Sequence, residues 1–260
     1  MRALSLPGCA CRAAFQVGVL SRLAAAGERF DLVAGASSGS VCGAIMVAGL
    51  MDRGPQMARD LIGAPIVSTR YLGTDRSIFG LGRILRDALQ KHLPERLIYD
   101  ADAELLVATT HARHYMRRFV SERVLRRPSS AAEAGDALVV HSSRARRDIH
   151  DVIAASCYLP VVHARMARLD GALHVDGALA DNTLIDALVA RGATEITVVT
   201  PFPRGAVART MFGREAPLLP RPGVRLRVLY PAWPLAIGRF DLDRSRVEEA
   251  LSMPHRELVI

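Results

Sequence analysis

Apolar and polar positions follow two rhythms along this chain. Short apolar runs mark buried strands at Ala3–Leu6, Leu32–Ala34, Glu104–Thr109, Leu138–His141, Ala172–Val175, Glu195–Thr200 and Val224–Tyr230. Between them, apolar residues recur at three- and four-residue spacing. Ala14, Val17, Leu20 and Leu23 predict a helix over about Arg12–Ala26, closed by Gly27. Ile149–Ser156, stopped by Leu159-Pro160, and Leu184–Ala190 predict two more. Asp243–Leu251 predicts a last helix, capped by Asp243 or Ser245. Ile78, Leu81, Leu85, Ala88 and Leu89 form a stripe opposite Arg83, Arg86, Asp87, Gln90 and Lys91. Such an amphipathic helix packs on a core or lies on a membrane, and the core is the better-supported place. Strand–helix alternation of this kind predicts a single α/β domain over residues 1–260: three layers, α/β/α, with a mostly parallel central sheet. The irregular stretches 55–100 and 201–223 are expected to be cap or loop segments, and Arg113–Arg127 an exposed Arg-rich stretch.

Two Asp-Gly pairs have different settings. Asp170-Gly171 separates the strand-like runs Ala164–Leu169 and Ala172–Val175, the pattern of a two-residue hairpin. Asp176-Gly177 instead closes a strand and leads through Ala178-Leu179-Ala180-Asp181-Asn182 to a helix, so its carboxylate can reach across strand ends.

The stretch 31–50 organises the rest. An apolar strand ends in Gly35-Ala36-Ser37-Ser38-Gly39, and a run of small and apolar residues begins a helix after it. This G-x-S-x-G in a strand–turn–helix setting is the pattern of a nucleophile elbow. Glycines two before and two after Ser37 remove Cβ atoms where strand and helix pass closely. The turn presents the hydroxyl at a helix N-terminus, whose unpaired N–H groups favour developing negative charge. A small-residue turn that merely links strand to helix is the other reading. Upstream, Pro7-Gly8 breaks the first strand before the first helix, a setting for anion-binding amides that lacks the Gly-Lys-Ser/Thr of a phosphate loop.

Half the residues are hydrophobic, so the 260-residue chain is globular rather than disordered. Nothing at Met1-Arg2 resembles a signal peptide, and no uncharged run reaches transmembrane length, which makes a cytoplasmic protein with possible peripheral membrane contact the expectation. The formal charge is +8, and Lys91 is the sole lysine among 34 basic residues. Arginine suits phosphate, but the arginines are scattered with few interleaved aromatics, so no nucleic-acid partner is expected. Cys9, Cys11, Cys42 and Cys157 have neither C-x-x-C nor zinc spacing, so no metal or cofactor is expected.

Taken together, three stretches resemble the patatin-like phospholipase family. Gly35-Ala36-Ser37-Ser38-Gly39 matches its elbow, and Asp176-Gly177-Ala178 its Asp-Gly-Gly/Ala turn, with Asp181-Asn182 following. Ala154–Pro160 matches the helix that ends in proline before that turn. The resemblance runs from Leu4 to about Leu251. It implies a patatin-like three-layer fold and a serine lipid acyl hydrolase: Ser37 attacks an ester carbonyl and Asp176 takes its proton. Amides of Gly8, Cys9, Ala10, Cys11 and Arg12 would then hold the oxyanion, with a lipid or membrane-surface ester as partner. One departure stands out. The family's Gly-Gly-Gly-x-Arg/Lys-Gly loop reads Gly8-Cys9-Ala10-Cys11-Arg12-Ala13 here, with Gln16 and Gly18 in place. Backbone amides tolerate side-chain changes unless the loop needs positive φ at Cys9 or Ala10. Arg12 is expected to tie the loop down.

Two other functions stay open at this point. A Ser–His–Asp esterase would draw on His141, His150, His163, His174 or His255, although several strands would then precede the elbow and only one does. The altered loop also fits a catalytically impaired lipid-binding or regulatory protein. Finally, a fold that gathers the four cysteines near Ser37 would let an oxidant or alkylating agent block the site, whereas buried cysteines would simply pack.

Overall fold

The computed structural model describes residues 1–63, 67–71, 79–119, 137–159, 166–241 and 243–260. Ile78, Pro160, His163, the start of the Ala164–Leu169 run and the 120–127 part of the Arg-rich stretch lie outside them. The chain opens with β1 (Arg2–Leu6), α1 (Ala13–Ala25), β2 (Leu32–Ala36) and α2 (Ser38–Val47). Then come α3 (Gly54–Gly63), α4 (Leu81–His92), α5 (Glu95–Tyr99), β3 (Glu104–His111), α6 (Ala112–Phe119) and β4 (Leu138–Ser142). The second half holds α7 (Ile149–Ser156), β5 (Ala167–Leu169), β6 (Ala172–Asp176), α8 (Ile185–Ala190), β7 (Glu195–Val199), β8 (Ala206–Ala208) and β9 (Glu215–Pro217). It closes with β10 (Arg225–Pro231), α9 (Arg244–Ser252) and β11 (His255–Val259).

Nine strands form one sheet. Its centre, β10-β7-β1-β2-β3, is parallel, and antiparallel strands finish both edges. Strand alternation splits the core in two. Leu4, Leu6, Val33, Leu105 and Val107 face a cluster built with α1, α2, α4, α7 and α9. Ala3, Leu32, Ala34, Leu106 and Ala108 face a smaller cluster under α8 and β8. This is the expected α/β architecture, a mostly parallel sheet flanked by helices, with the heavier helical layer on the elbow's side.

The differences have local causes. The described parts of the 55–100 segment hold helices as well as loop: α3 starts at Gly54-Pro55, where proline serves as a helix start rather than a break. The 201–223 loop contains the β8–β9 ribbon, paired from Ala206↔Pro217 to Ala208↔Glu215. Strand β10 is not the last; β11 pairs beside it as a charged edge strand. The stripe on α4 does face the core, with Leu85, Ala88 and Leu89 buried. At the hairpin, Asp170 and Gly171 both have positive φ (49° and 80°), as a type I′ turn requires.

One feature of the sheet positions the site. Strand β2 pairs with β3 only as far as Ala36↔Ala108. From the next residue, Thr109↔Asp176, β6 pairs with β3 instead. Thr109 and Thr110 also pair with β4, so β6 must occupy the edge that β2 has just vacated. Parallel β2 and antiparallel β6 therefore meet head-on, and the carboxyl end of each faces the other.

Candidate active site

Ser37 follows the last residue of β2 and Asp176 is the last residue of β6, so the head-on meeting brings them together. Ser37 Oγ donates to Asp176 Oδ2 at 2.6 Å. The other carboxylate oxygen accepts from the Ala178 amide at 2.9 Å, which fixes the side chain. Ser37 has φ 52° and ψ −131°, a strained conformation for a residue with a Cβ. Its amide is held by Ser156 Oγ at 2.8 Å, and Ser40 Oγ donates to its carbonyl at 2.6 Å. Glycine is required on both sides of the pair. A Cβ at Gly39 would lie 1.9 Å from the Leu6 carbonyl oxygen, and one at Gly177 would lie 2.1 Å from that of Ala108. A Cβ at Gly35 would lie 2.5 Å from the Gly39 carbonyl oxygen, in the first turn of α2.

Asp176 is fully buried and Ser37 only 9 % exposed. Burial pushes the Asp176 pKa up to about 7, against the lowering effect of the Ser37 and Ala178 hydrogen bonds. A carboxylate poised there can accept a proton from the hydroxyl near neutral pH.

The β1–α1 loop lies beside this pair, held by side chains. Asn182 Oδ1 accepts the Gly8 amide at 2.7 Å, and its Nδ2 donates to the Gly8 carbonyl at 3.3 Å and to that of Ala208 at 3.2 Å. Ser38 Oγ accepts the Cys9 amide at 3.0 Å. The Cys11 amide donates to the Arg239 carbonyl and the Arg12 amide to that of Cys9. Gln16 Nε2 reaches the Pro7 and Val199 carbonyls. The sequence spread the anion-binding role over Gly8 to Arg12, but four of those five amides bond within the protein. Of the five, only the Ala10 amide has no partner among the described residues. Ala10 also answers the question of loop strain: it has φ 53°, while Cys9 has φ −150°. Arg12 donates through Nε to the Ile237 carbonyl at 3.1 Å and places its guanidinium over the Phe202 ring.

An apolar cavity of about 170 Å3 opens onto Ser37. Ala14, Val17, Val41, Ile45, Met57 and Leu85 are among its lining residues, as are Ala10 and Ser38. Three of the four cysteines, Cys11, Cys42 and Cys157, line it too. The fold thus gathers the thiols, and the Cys157 thiol faces the hydroxyls of Ser40 and Ser37. Burial nevertheless raises every one of them, Cys9 to about 12, so little thiolate forms at neutral pH. Packing rather than reactivity is the role this environment favours.

Among the described residues, three of the candidate histidines bond groups other than Ser37. His141 Nε2 and His174 Nδ1 bond the Thr109 hydroxyl at 2.7 and 2.9 Å, and His150 Nε2 bonds the Leu93 carbonyl at 2.8 Å. His255 begins edge strand β11. No group of described residues has the make-up of a metal site.

A family model described as patatin-like phospholipase matches residues 4–189, well over half of the chain. The chain belongs to the patatin-like phospholipase family. Lipid acyl hydrolysis is the general activity that membership in the patatin-like family supports. Among solved structures, VipD from Legionella pneumophila is similar at 14% identity and a TM-score of 0.37, covering 76% of this chain and 49% of that one. This patatin-like chain therefore spans about half the length of that structure. A search of curated proteins gave no match.

Sequence reasoning missed three supports of the patatin-like elbow and loop: Ser156, Asn182 and the Ser38 hydroxyl. Ser156 lies in the Ala154–Pro160 stretch and Asn182 follows Asp181, so the family resemblance flagged their neighbourhoods. Their bonds to backbone leave no periodic trace.

Proposed function

We propose that this chain is a serine hydrolase of lipid carboxylic esters, of phospholipase A or lysophospholipase type, working through a Ser37–Asp176 dyad. One observation carries the reading: the 2.6 Å bond between Ser37 Oγ and a buried Asp176 carboxylate, at the mouth of an apolar cavity. Asp176 takes the hydroxyl proton as Oγ attacks the carbonyl carbon. The oxyanion of the tetrahedral intermediate is held by the Ala10 and Ser38 amides, which have no partner among the described residues, and by the α2 dipole. As the ester C–O bond breaks, Asp176 returns the proton to the leaving alkoxide, and the acyl group stays on Ser37. Water then attacks the acyl-enzyme, giving its proton to Asp176, which passes it back to Oγ as the fatty acid leaves. The cavity holds the acyl chain throughout.

A panel of lipids and p-nitrophenyl esters, run on wild type and Ser37→Ala, tests this. Hydrolysis by wild type that falls to background in Ser37→Ala supports the reading; retained hydrolysis rejects it. A second reading, a lipid-binding protein with little turnover, draws on the left-handed strain at Ala10. A Ser37 silent toward a fluorophosphonate probe, in a protein that still binds fatty acid, would favour it.

A further inference from the structure

The five parallel strands point their carboxyl ends at one edge, the edge that carries Ser37. The segments following β7 and β10, residues 200–224 and 232–241, leave from that same edge. They hold the exposed Phe and Trp residues among those described: Phe212 at 76 %, Trp233 at 52 % and Phe240 at 68 %. Leu219 is exposed there as well. Single exposed apolar residues need no explanation, but such a gathering beside a site does.

Both loops are fastened to the site. The Met211 amide donates to the Ala178 carbonyl at 2.6 Å, two residues past Asp176. Arg239 Nη1 donates to the Met211 carbonyl at 3.2 Å, and the Cys11 amide donates to the Arg239 carbonyl at 2.9 Å. Phe212 and Phe240 are thus each one residue from an anchored neighbour, and Phe240 lines the cavity itself.

The free charge on these loops is mostly positive, with Glu215 the one exposed acid that has no partner among the described residues. Asp241 accepts the Gly238 and Asp243 amides and pairs with Arg246, while Asp243 caps α9. Arg209 and Arg221 share Asp186. Arg204 and Arg214 are exposed, with no ion pair among the described residues. Aromatic rings enter the acyl boundary of a bilayer, and guanidinium groups bond lipid phosphates.

We propose that this rim docks on an anionic lipid bilayer, with Phe212 and Phe240 inserted and Arg204 and Arg214 on phosphates. The purpose of the docking rests on the hydrolase reading above, since it sets the cavity mouth against the source of ester. A bilayer fits better than a protein partner because it can pass a chain into the cavity while still covering the rim, and because the whole chain carries a formal +8.

The full-length Ser37→Ala protein, sedimented with vesicles, tests the proposal without turnover. Binding should be strong to phosphatidylcholine vesicles containing phosphatidylglycerol, weak to phosphatidylcholine alone, and reduced by salt. The pair Arg204→Gln with Arg214→Gln should weaken it by roughly tenfold or more. Phe212→Ser should weaken it several-fold with Tm unchanged. In the wild-type background, Phe212→Ser with Arg214→Gln should leave hydrolysis of a short, soluble ester unchanged and lower that of vesicle lipid. Equal binding to both vesicle types, or variants that bind like the parent, would overturn the proposal, including in favour of a protein partner. Normal soluble-ester hydrolysis alongside failed binding would reject docking alone. Strong binding alongside full activity in Ser37→Ala would reject the dyad alone.

Discussion

Asn182 brackets Gly8. Its carbonyl oxygen takes the Gly8 N–H at 2.7 Å while its amide gives a hydrogen to the Gly8 carbonyl, as a neighbouring strand would. With both backbone groups of Gly8 occupied and Cys9 held by Ser38, the loop reaches Ala10 in a fixed pose. Asn182→Ala should therefore reduce kcat by roughly 10- to 100-fold on a soluble ester while KM changes little, the mark of lost transition-state contact. Leaving Gly8 unpaired should also lower stability by about 1–3 kcal/mol. Steady-state kinetics and thermal melts measure both. Asn182→Asp keeps the acceptor but sets a carboxylate against two carbonyls, so it should not rescue kcat.

Asp176 should give the enzyme an acid limb. With its pKa near 7, activity should rise with pH through that value and then level off, because the proposed dyad needs the unprotonated carboxylate as its base. Asp176→Asn should cost on the order of 10² to 10⁴ in kcat. The stability consequence runs the other way. The folded carboxyl holds its proton up to about pH 7, whereas the unfolded one releases it near the ordinary value of about 4. The folded state thus binds more protons across that window, and stability falls as pH rises through it. At pH 8 the Asn variant, free of a buried charge, should melt several degrees above wild type; at pH 4 the difference should vanish. Paired melts at the two pH values check the sign.

Ala10 sits at φ 53°, where a Cβ costs roughly 1–2 kcal/mol. Ala10→Gly should remove that strain but add freedom to the unfolded chain, leaving stability within about 1 kcal/mol of wild type and activity intact. Ala10→Val, branched at the same backbone angle, should lower Tm and abolish turnover together. An Ala10→Val protein with wild-type kcat would mean that this amide does not hold the oxyanion.

The cavity should read chain length. Each added methylene that it covers should raise kcat/KM about fourfold, from ~0.8 kcal/mol per buried CH2. The rise should stop once the cavity is full. Ala58→Phe, which fills part of the lining, should move the optimum to shorter acyl chains. A p-nitrophenyl ester series on both proteins makes the comparison.

The frame of this site was readable before any coordinates, because it rests on short-range rules. Ile149–Ser156 has the bounds its apolar spacing gave, and Asp170-Gly171 forms the turn its composition required. The elbow was legible from two glycines around Ser37. What stayed hidden depends on chain segments far apart in sequence. Nothing local says that Ser156 caps the Ser37 amide, or that Asn182 mimics a strand beside Gly8. The ribbon at 206–217 hid in proline and glycine, and β11 in alternating charge, since edge pairs need no apolar signature. Four loop amides looked available because their partners come from residues 9, 38, 182 and 239.

The head-on junction of β2 and β6 along β3 sets the distance between hydroxyl and acid by a ruler one backbone step long, Ala108 to Thr109. Extra residues inserted between α2 and β3, or between β4 and β5, would not stretch that ruler. Evolution can therefore rebuild the walls and roof of the cavity, segment by segment, while Ser37 and Asp176 keep their separation.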